Sequence, residues 1–236
     1  MTISYEQKYL LDAVRSWFDE AEQISHYASE LKSGPTSAEL FLLGQLSGDG
    51  QVLDVGCGAG RIAMYLAEKG YQVVGTDVSE QLLNVAKEHS MQSNQPIQFI
   101  QNEGVQLPFK NEEFDAVIGF KILCYIPTRE LRAEALREYG RVLKPGGTCI
   151  LTQYIVPEEA MEDARDEYFE ANLAASFDIL EEGDNFPLGK GYVHWFTETS
   201  LQTELAGTSL TIEIFEDDSK HGGSGYLCLI KMKKCG

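Results

Sequence analysis

Apolar residues recur at helical spacing from the start of the chain. Tyr9, Leu10, Ala13, Trp17 and Phe18 fall on one face, which predicts a single helix over 3–31. Ser33-Gly34-Pro35 interrupts it. Thr36, with Glu39 three positions on, has the spacing of a reciprocal helix cap ahead of LFLLGQL and predicts a second helix. Gly48-Asp49-Gly50 closes this part. From residue 51 the pattern changes to short runs that are apolar on both sides. QVLDV, YQVVGT, IQFIQ, FDAVIGF and TCILTQY read as strands, the last entered through a turn at LKPGG. Between them RIAMYLAEK (ended by Gly70), EQLLNVAKEH (capped by Ser79) and the segment Thr128 to Tyr139 read as helices. Strands that alternate with helices and are apolar on both faces predict a parallel sheet covered on both sides.

After Tyr154 the alternation is interrupted. Pro157 to Leu180 carries Phe169, Leu173, Phe177 and Leu180 on one side, which predicts a helix lying over an apolar surface. A helix from about Glu198 to Ala206 resumes the order. TIEIFED and GYLCLIKMKK, joined by a polar, glycine-rich link, then fit an antiparallel pair. The chain divides into an N-terminal helical cap over 1–50 and an α/β domain over 51–236, with a lid insertion over about 156–196.

Charge narrows the possible ligands. The 236 residues carry a net charge of −18, a field that repels a polyanion, so no nucleic-acid partner is expected. The stretch from Glu158 to Asp184 alone contributes −10 of it. That stretch is either a solvated helix face or a field that attracts cationic acceptors such as amines. No apolar run is long enough to span a bilayer and no leader pattern opens the chain, so a cytoplasmic protein without a membrane partner is expected. The five cysteines are scattered and show no metal-ligand spacing, so neither a disulfide framework nor a metal site is expected.

VLDVGCGAGR, residues 52 to 61, places Gly56, Gly58 and Gly60 just after the first strand. Glycines there let a ligand lie against the main chain, and the N–H groups that open the next helix favour a negative group. Asp77 ends the second strand, where a carboxylate can accept hydrogen bonds from both hydroxyls of a ribose; the alternative is a cap beside Ser79. Arg61 stands where a dinucleotide fold wants a third close-packing glycine, and no GK[ST] follows. The ligand expected is therefore a ribose-bearing molecule without a pyrophosphate.

Together VLDVGCGAGR, VVGTDVS, NEGVQLPF, FDAVIGFKILCYI and RVLKPGG resemble the class I S-adenosylmethionine-dependent methyltransferases, especially their small-molecule branch. The resemblance implies a Rossmann-like, doubly wound, seven-stranded sheet, mostly parallel with an antiparallel last strand. It implies S-adenosylmethionine as cofactor and S-adenosylhomocysteine as product. Asp54 and the loop Gly56, Cys57, Gly58 to Gly60 would hold the methionine moiety, with the Phe120 carbonyl on its ammonium. Asp77 would bind the ribose and Val78 the adenine, whose amino group would meet Glu103 or the backbone of Gly104 and Val105. Tyr27 would bring an aromatic ring onto the cofactor, or simply pack; His26 beside it shares that choice.

The segment after the fourth strand, GFKILCY, lacks both the Asn/Asp-Pro-Pro stretch of base methylation and metal-binding carboxylates. A metal-independent transfer to O, N or C of a small-molecule metabolite is expected, in a chamber roofed by the N-terminal helices and the lid. Lys121, Cys124, Tyr125 and Gln153 are candidates to face the acceptor, with Tyr154 and His194 the catalytic candidates. His194, between Tyr192 and Trp195, could take a proton as a neutral imidazole, or could be held within the lid's own packing. His89 and His221 read as solvent positions. Two other functions share the sheet: aminopropyl transfer, and a non-catalytic cofactor-binding subunit.

Overall fold

The structure is a computed structural model that describes residues 3–47, 50–161 and 164–235. Gly48 and Asp49 of the expected linker, and Glu162 and Asp163 of the acidic stretch, lie outside the described residues. The parallel core consists of β1 (Gln51–Val55), β2 (Gln72–Asp77), β3 (Gln98–Gln101), β4 (Phe114–Phe120) and β5 (Leu143–Tyr154). With β8 (Leu210–Asp217) and β9 (Leu227–Lys234) it forms one seven-stranded sheet in the order β3-β2-β1-β4-β5-β9-β8. Strand β9 alone runs antiparallel, to both β5 and β8. Its short link from β8 leaves room for a hairpin but not for a crossover helix.

Register explains why these strands are apolar at every position. Leu53 lies beside Val74 and Val117, and all three face one apolar cluster; Val52, Val73 and Ala116, one step away, face the other. Helices α3 (Ser37–Leu43), α4 (Arg61–Glu68) and α5 (Glu80–Gln92) cover the second face through Leu42, Ile62, Leu66 and Leu83. Helices α6 (Arg129–Val142) and α7 (Glu198–Ala206) cover the first through Leu136, Tyr139, Leu201 and Leu205. The Thr36–Glu39 capping box of α3 forms in both directions, and Ser79 caps α5. Among the described residues, no helix is long and apolar enough to cross a membrane.

Three expectations are corrected. The N-terminal segment is two helices, α1 (Tyr5–Phe18) and α2 (Ala21–Glu30), because the chain turns at Asp19 and Glu20. Ser79 Oγ donates to Asp19 Oδ1 at 2.6 Å, so a residue far along the chain fixes a turn that periodicity does not reveal. LKPGG is not a turn ahead of β5 but its first stretch, with Gly146 at φ +73° and a register shift opposite β4 between Phe114 and Ala116.

The lid is not a helix. It is a run of short 3₁₀ turns, Glu158–Ala160, Phe169–Ala171 and Leu173–Ser176, followed by a two-residue ladder of β6 (Asp184–Asn185) with β7 (Val193–His194). Its polar side chains take the backbone donors a helix would need: Asp166 accepts from the Tyr168 and Leu188 N–H groups, and Asn172 from that of Ala174. Phe169 and Ala174 are buried against Leu10, Val14, Phe186 and Tyr192, whereas Leu173 is exposed.

Arg132 of α6 joins the lid to the core. Its fully buried guanidinium donates to Glu204 of α7 at 2.7–2.9 Å and to Glu181 of the lid at 2.6 Å, and lies 5.4 Å over the Phe196 ring. Removing one partner of a buried pair leaves the other charge without compensation. Arg132→Met is therefore expected to lower unfolding free energy by about 3–5 kcal/mol in urea titrations. The double variant with Glu204→Gln should recover part of that loss.

Candidate active site

The carboxyl ends of β2, β1, β4 and β5 lie side by side, and a cavity of about 540 Å³ opens over them. Its floor is the loop after β1. Cys57 N–H donates to Thr76 O at 2.9 Å and Gly58 N–H to Asp77 Oδ2 at 2.8 Å, which ties that loop to the end of β2. Gly56, Gly58 and Gly60 all have left-handed φ, yet they serve different ends. A Cβ on Gly58 would project into the cavity, with only Tyr27 Cδ1 within 4.0 Å. A Cβ on Gly60, the residue that opens α4, would press on Ala86 at 3.1 Å and Phe99 at 3.3 Å. Gly60 thus serves helix–sheet packing and does not line the cavity.

Asp77 takes the cap role beside Ser79 and borders the cavity at the same time. Its Oδ1 accepts from Ser79 N–H at 2.9 Å while Oδ2 holds Gly58, and a carboxylate has further lone pairs to offer. Val78, Gly104 and Val105 line the cavity beside it, and so does Asn102, whose Nδ2 donates to Gly104 O at 2.7 Å. Asn102 was not singled out in the sequence, although it adjoins Glu103. Glu103 also borders the cavity, but its exposed carboxylate accepts from Arg15 of α1 at 2.9 Å. Asp54, Gly56, Cys57 and Gly58 lie at the centre. Phe120, Lys121, Ile122 and Tyr125 follow from the end of β4, and Tyr154 from the end of β5.

The roof comes from α1 and α2, through Leu11, Val14, Phe18, His26, Tyr27 and Glu30. No described residue of 156–196 lines the cavity. The lid packs instead on the outer side of α1, where Gly191 leaves space for the Trp17 ring and Tyr192 joins Leu10 and Val14. Of the expected roof, the N-terminal helices line the cavity and the described residues of the lid do not.

Burial sets the electrostatics. Asp54 is 3% exposed and its Oδ2 has no hydrogen-bond partner. Burial pushes its carboxyl up to about 7, with Arg61 and the Ala63 N–H countering part of the rise and Asp77 adding to it. Burial also raises Asp77, against the N–H groups it accepts from. Arg61 turns away from the cavity centre onto Glu39, at 2.8 Å through each of two nitrogens, and onto Gly34 O at 2.8 Å. Burial pushes Tyr27 up to about 12, with Glu30 adding to the effect, so this phenol is a donor at neutral pH.

His194 is not on the cavity, which corrects its assignment as a catalytic group. It is 4% exposed, its Nδ1 lies 2.7 Å from Asp184 Oδ1, and its ring stands edge-on to Phe196 at 4.6 Å. The β6–β7 ladder pairs His194 directly with Asp184 and turns it into the lid's own core. Glu181, Asp184 and His194 stand close enough to share a cation. Arg132 already supplies a positive charge to Glu181, and the Tyr192 hydroxyl donates to Asp184 at 2.6 Å. Trp195 lines a separate pocket within the lid.

Cys124 and Gln153 are buried behind the cavity wall, joined by the Cys124 N–H to Gln153 Oε1 at 3.1 Å. His221 is not a solvent position: it stacks on Phe41 at 3.8 Å and lies 2.9 Å from Glu216. His26 is mostly exposed and stands 3.4 Å from Glu30, and His89 sits in the last turn of α5.

Residues 53–151 match a family model described as a methyltransferase domain. The methyltransferase GfsG of Streptomyces halstedii is 32% identical over 141 residues, which cover 58% of this chain and 49% of that protein. The chain thus spans about half the length of this curated relative. Among solved structures, the 1,6-didemethyltoxoflavin-N1-methyltransferase of Burkholderia thailandensis, with its substrate and S-adenosylhomocysteine bound, superposes with a TM-score of 0.68. It is 15% identical, over 100% of this chain and 93% of that one. The [4+2]-cyclase SpnF superposes with a TM-score of 0.69 at 18% identity, over 94% and 96%. At these identities the two structures speak for the fold.

The unpartnered Asp54 carboxyl makes the free protein sensitive to pH. Folded, it holds its proton up to about pH 7; unfolded, it releases it near the ordinary value of about 3.9. The folded state therefore binds the extra proton between those limits, and stability falls as pH rises through them. The loss is on the order of 1.4 kcal/mol per pH unit within that window. Urea midpoints at pH 5 and pH 7.5 should fall more for the wild type than for Asp54→Asn. Equal changes in the two proteins would mean that Asp54 is ionised in the free protein.

Proposed function

We propose that the chain, whose residues 53–151 match a methyltransferase domain, is a class I S-adenosylmethionine-dependent methyltransferase that methylates an oxygen, nitrogen or carbon atom of a small metabolite without a metal. One observation carries the reading. A single cavity runs from the Asp77 carboxylate, past a loop whose Gly58 leaves open space, to an end lined by Phe18, Tyr125 and the partly exposed Tyr154. The residues fit the cofactor: Asp54 Oδ2 is a buried acceptor without a partner, and Asp77 keeps lone pairs free beyond the two N–H groups it holds.

The cofactor brings a methyl group on a sulfonium, so the leaving group is already activated and the protein mainly aligns and excludes water. Asp77 would accept from the ribose hydroxyls, and Val78, Gly104 and Val105 would enclose the base. Asp54 would face the ammonium together with the Phe120 carbonyl, a cation there favouring its ionised form. Tyr27 closes over Gly58 as a donor and keeps water from the centre of the cavity. Tyr154, at the end of β5, faces the acceptor. The segment Lys121–Ile126 has no carboxylate to hold a metal, and the reaction needs none.

A second reading is a cofactor-binding protein that moves no methyl group, since the groups fitted to the cofactor are held by the backbone whether or not an acceptor binds. Formation of S-adenosylhomocysteine from labelled S-adenosylmethionine over fractionated metabolite pools separates the two. Binding is tested first. Micromolar S-adenosylmethionine and S-adenosylhomocysteine should raise the melting temperature, while NAD and ATP should not. Asp77→Asn, which keeps one acceptor oxygen for the backbone, should weaken S-adenosylmethionine by about tenfold to a thousandfold in calorimetry. Unchanged affinity in a folded variant would overturn the ribose assignment.

A further inference from the structure

The order of the strands locates the acceptor. Asp77 ends β2, the glycine loop follows β1, and Lys121 and Tyr154 follow β4 and β5 on the far side. A cofactor with its ribose on Asp77 and its methionine over β1 leaves only the β4–β5 side for the group that receives the methyl. Among the described residues, three basic side chains line the cavity: His26, Arg61 and Lys121. His26 faces Glu30 and Arg61 is held by Glu39. Lys121 alone forms no salt bridge. Its ammonium lies 5.6 Å over the Tyr154 ring, at the acceptor end.

The backbone holds Lys121 there. It adopts left-handed φ +58°, uncommon for a residue with a side chain, while its N–H donates to Thr152 O at 2.8 Å. A 3₁₀ turn, Leu123–Tyr125, follows at once and carries Tyr125 back to the cavity, where its ring meets Phe18 edge-on at 4.9 Å. Phe18 in turn lies 5.8 Å from Tyr27. The acceptor end thus has flat aromatic walls and one cation without a counter-charge. The carboxylates of the cavity, Glu30, Asp54, Asp77 and Glu103, belong to the roof, the centre and the ribose end.

Resting on the methyltransferase reading, we propose that the acceptor is a planar molecule with an anionic oxygen, a carboxylate or an ionised hydroxyl, which Lys121 binds. The expectation of a cationic acceptor came from the acidic lid, and the lid does not reach the cavity. Its Glu170, Glu181, Glu182 and Asp184 border the separate pocket beside Trp195. Beyond a Debye length of about 8 Å the protein's overall negative field is largely screened, so the nearest charge decides.

The test uses the whole protein saturated with S-adenosylhomocysteine. Benzoate, benzamide and benzylamine are compared as probes by ligand-observed NMR, with 4-nitrophenol, ionised at pH 8, as a second anion. Benzoate is expected to bind about tenfold tighter than benzamide and tighter than benzylamine, as a charge-assisted hydrogen bond requires. Lys121→Met should abolish that preference and Lys121→Arg should keep part of it. If 4-nitrophenol shares the preference, an ionised hydroxyl can take the place of the carboxylate; if it does not, the site is specific for carboxylates. A preference for benzylamine, no difference among the three, or a preference that survives Lys121→Met would overturn the proposal. S-adenosylhomocysteine affinity in the same samples separates the failures. If it does not bind the wild type, the cofactor reading fails; if it binds without an anion preference, only the acceptor assignment fails. The comparison of probes on the wild type stands even if Lys121→Met does not fold.

Discussion

The N–H groups of Gly58 and Ser79 converge on one buried carboxylate, that of Asp77, and the shape of the cavity follows from this contact. One oxygen draws the loop after β1 against the end of β2. The other fixes the start of α5, where the Ser79 side chain serves both its helix and the turn between α1 and α2 through Asp19. That turn brings α2 back across the sheet and sets Tyr27 over Gly58. Floor and roof of the cavity are thus linked by four polar groups in series. A carboxylate is suited to this position because it accepts at several lone pairs, so organising the backbone does not exhaust it.

Charge is sorted by distance from that centre. Burial raises both Asp54 and Asp77, and both stay close to Arg61 or to backbone donors without forming an ion pair. Arg61, at the position that a dinucleotide fold gives to a small residue, is not idle. It satisfies Glu39, whose carboxylate also closes the α3 capping box, so burial's tendency to raise Glu39 is overcome and its pKa falls below the usual value. A cation near the glycine loop is thereby neutralised by α3 and adds little to the field felt by a ligand. The lid's Glu170, Glu181, Glu182 and Asp184 border a separate pocket and do not line the cavity.

Locally determined features were legible in the sequence. Strands β1 and β4, the Thr36–Glu39 box, the Ser79 cap and α7 formed where pattern and capping residues placed them, because each depends on residues a few positions apart. What escaped was fixed by distant partners. The α1–α2 break depends on Ser79, and the lid's turns on Asp166 and Asn172 taking up backbone donors. His194 looked like a site residue because aromatic rings flank it near the strand ends. The β6–β7 ladder, which no periodicity announced, pairs it with Asp184. Tyr27 and Tyr154 do reach the cavity, and the N-terminal helices roof it as expected, whereas nothing in the lid's pattern told that it would pack away from the cavity.

The two ends of the cavity differ in how they are built, and the difference bears on what fold likeness can say about chemistry. The ribose end and its centre lie within the stretch that matches the methyltransferase domain, residues 53–151. The roof residues Leu11, Val14, Phe18, His26, Tyr27 and Glu30, and Tyr154 at the end of β5, lie outside that stretch, whereas Phe120, Lys121, Ile122, Tyr125 and Ile126 come from within it. A sheet of this kind hosts many chemistries, so what the chain acts on has to be argued from its own side chains rather than from the fold. Next to β4 and β5 these are Lys121 and the rings of Tyr125 and Tyr154, and under the proposal above the charge nearest the acceptor outweighs the net charge of the chain.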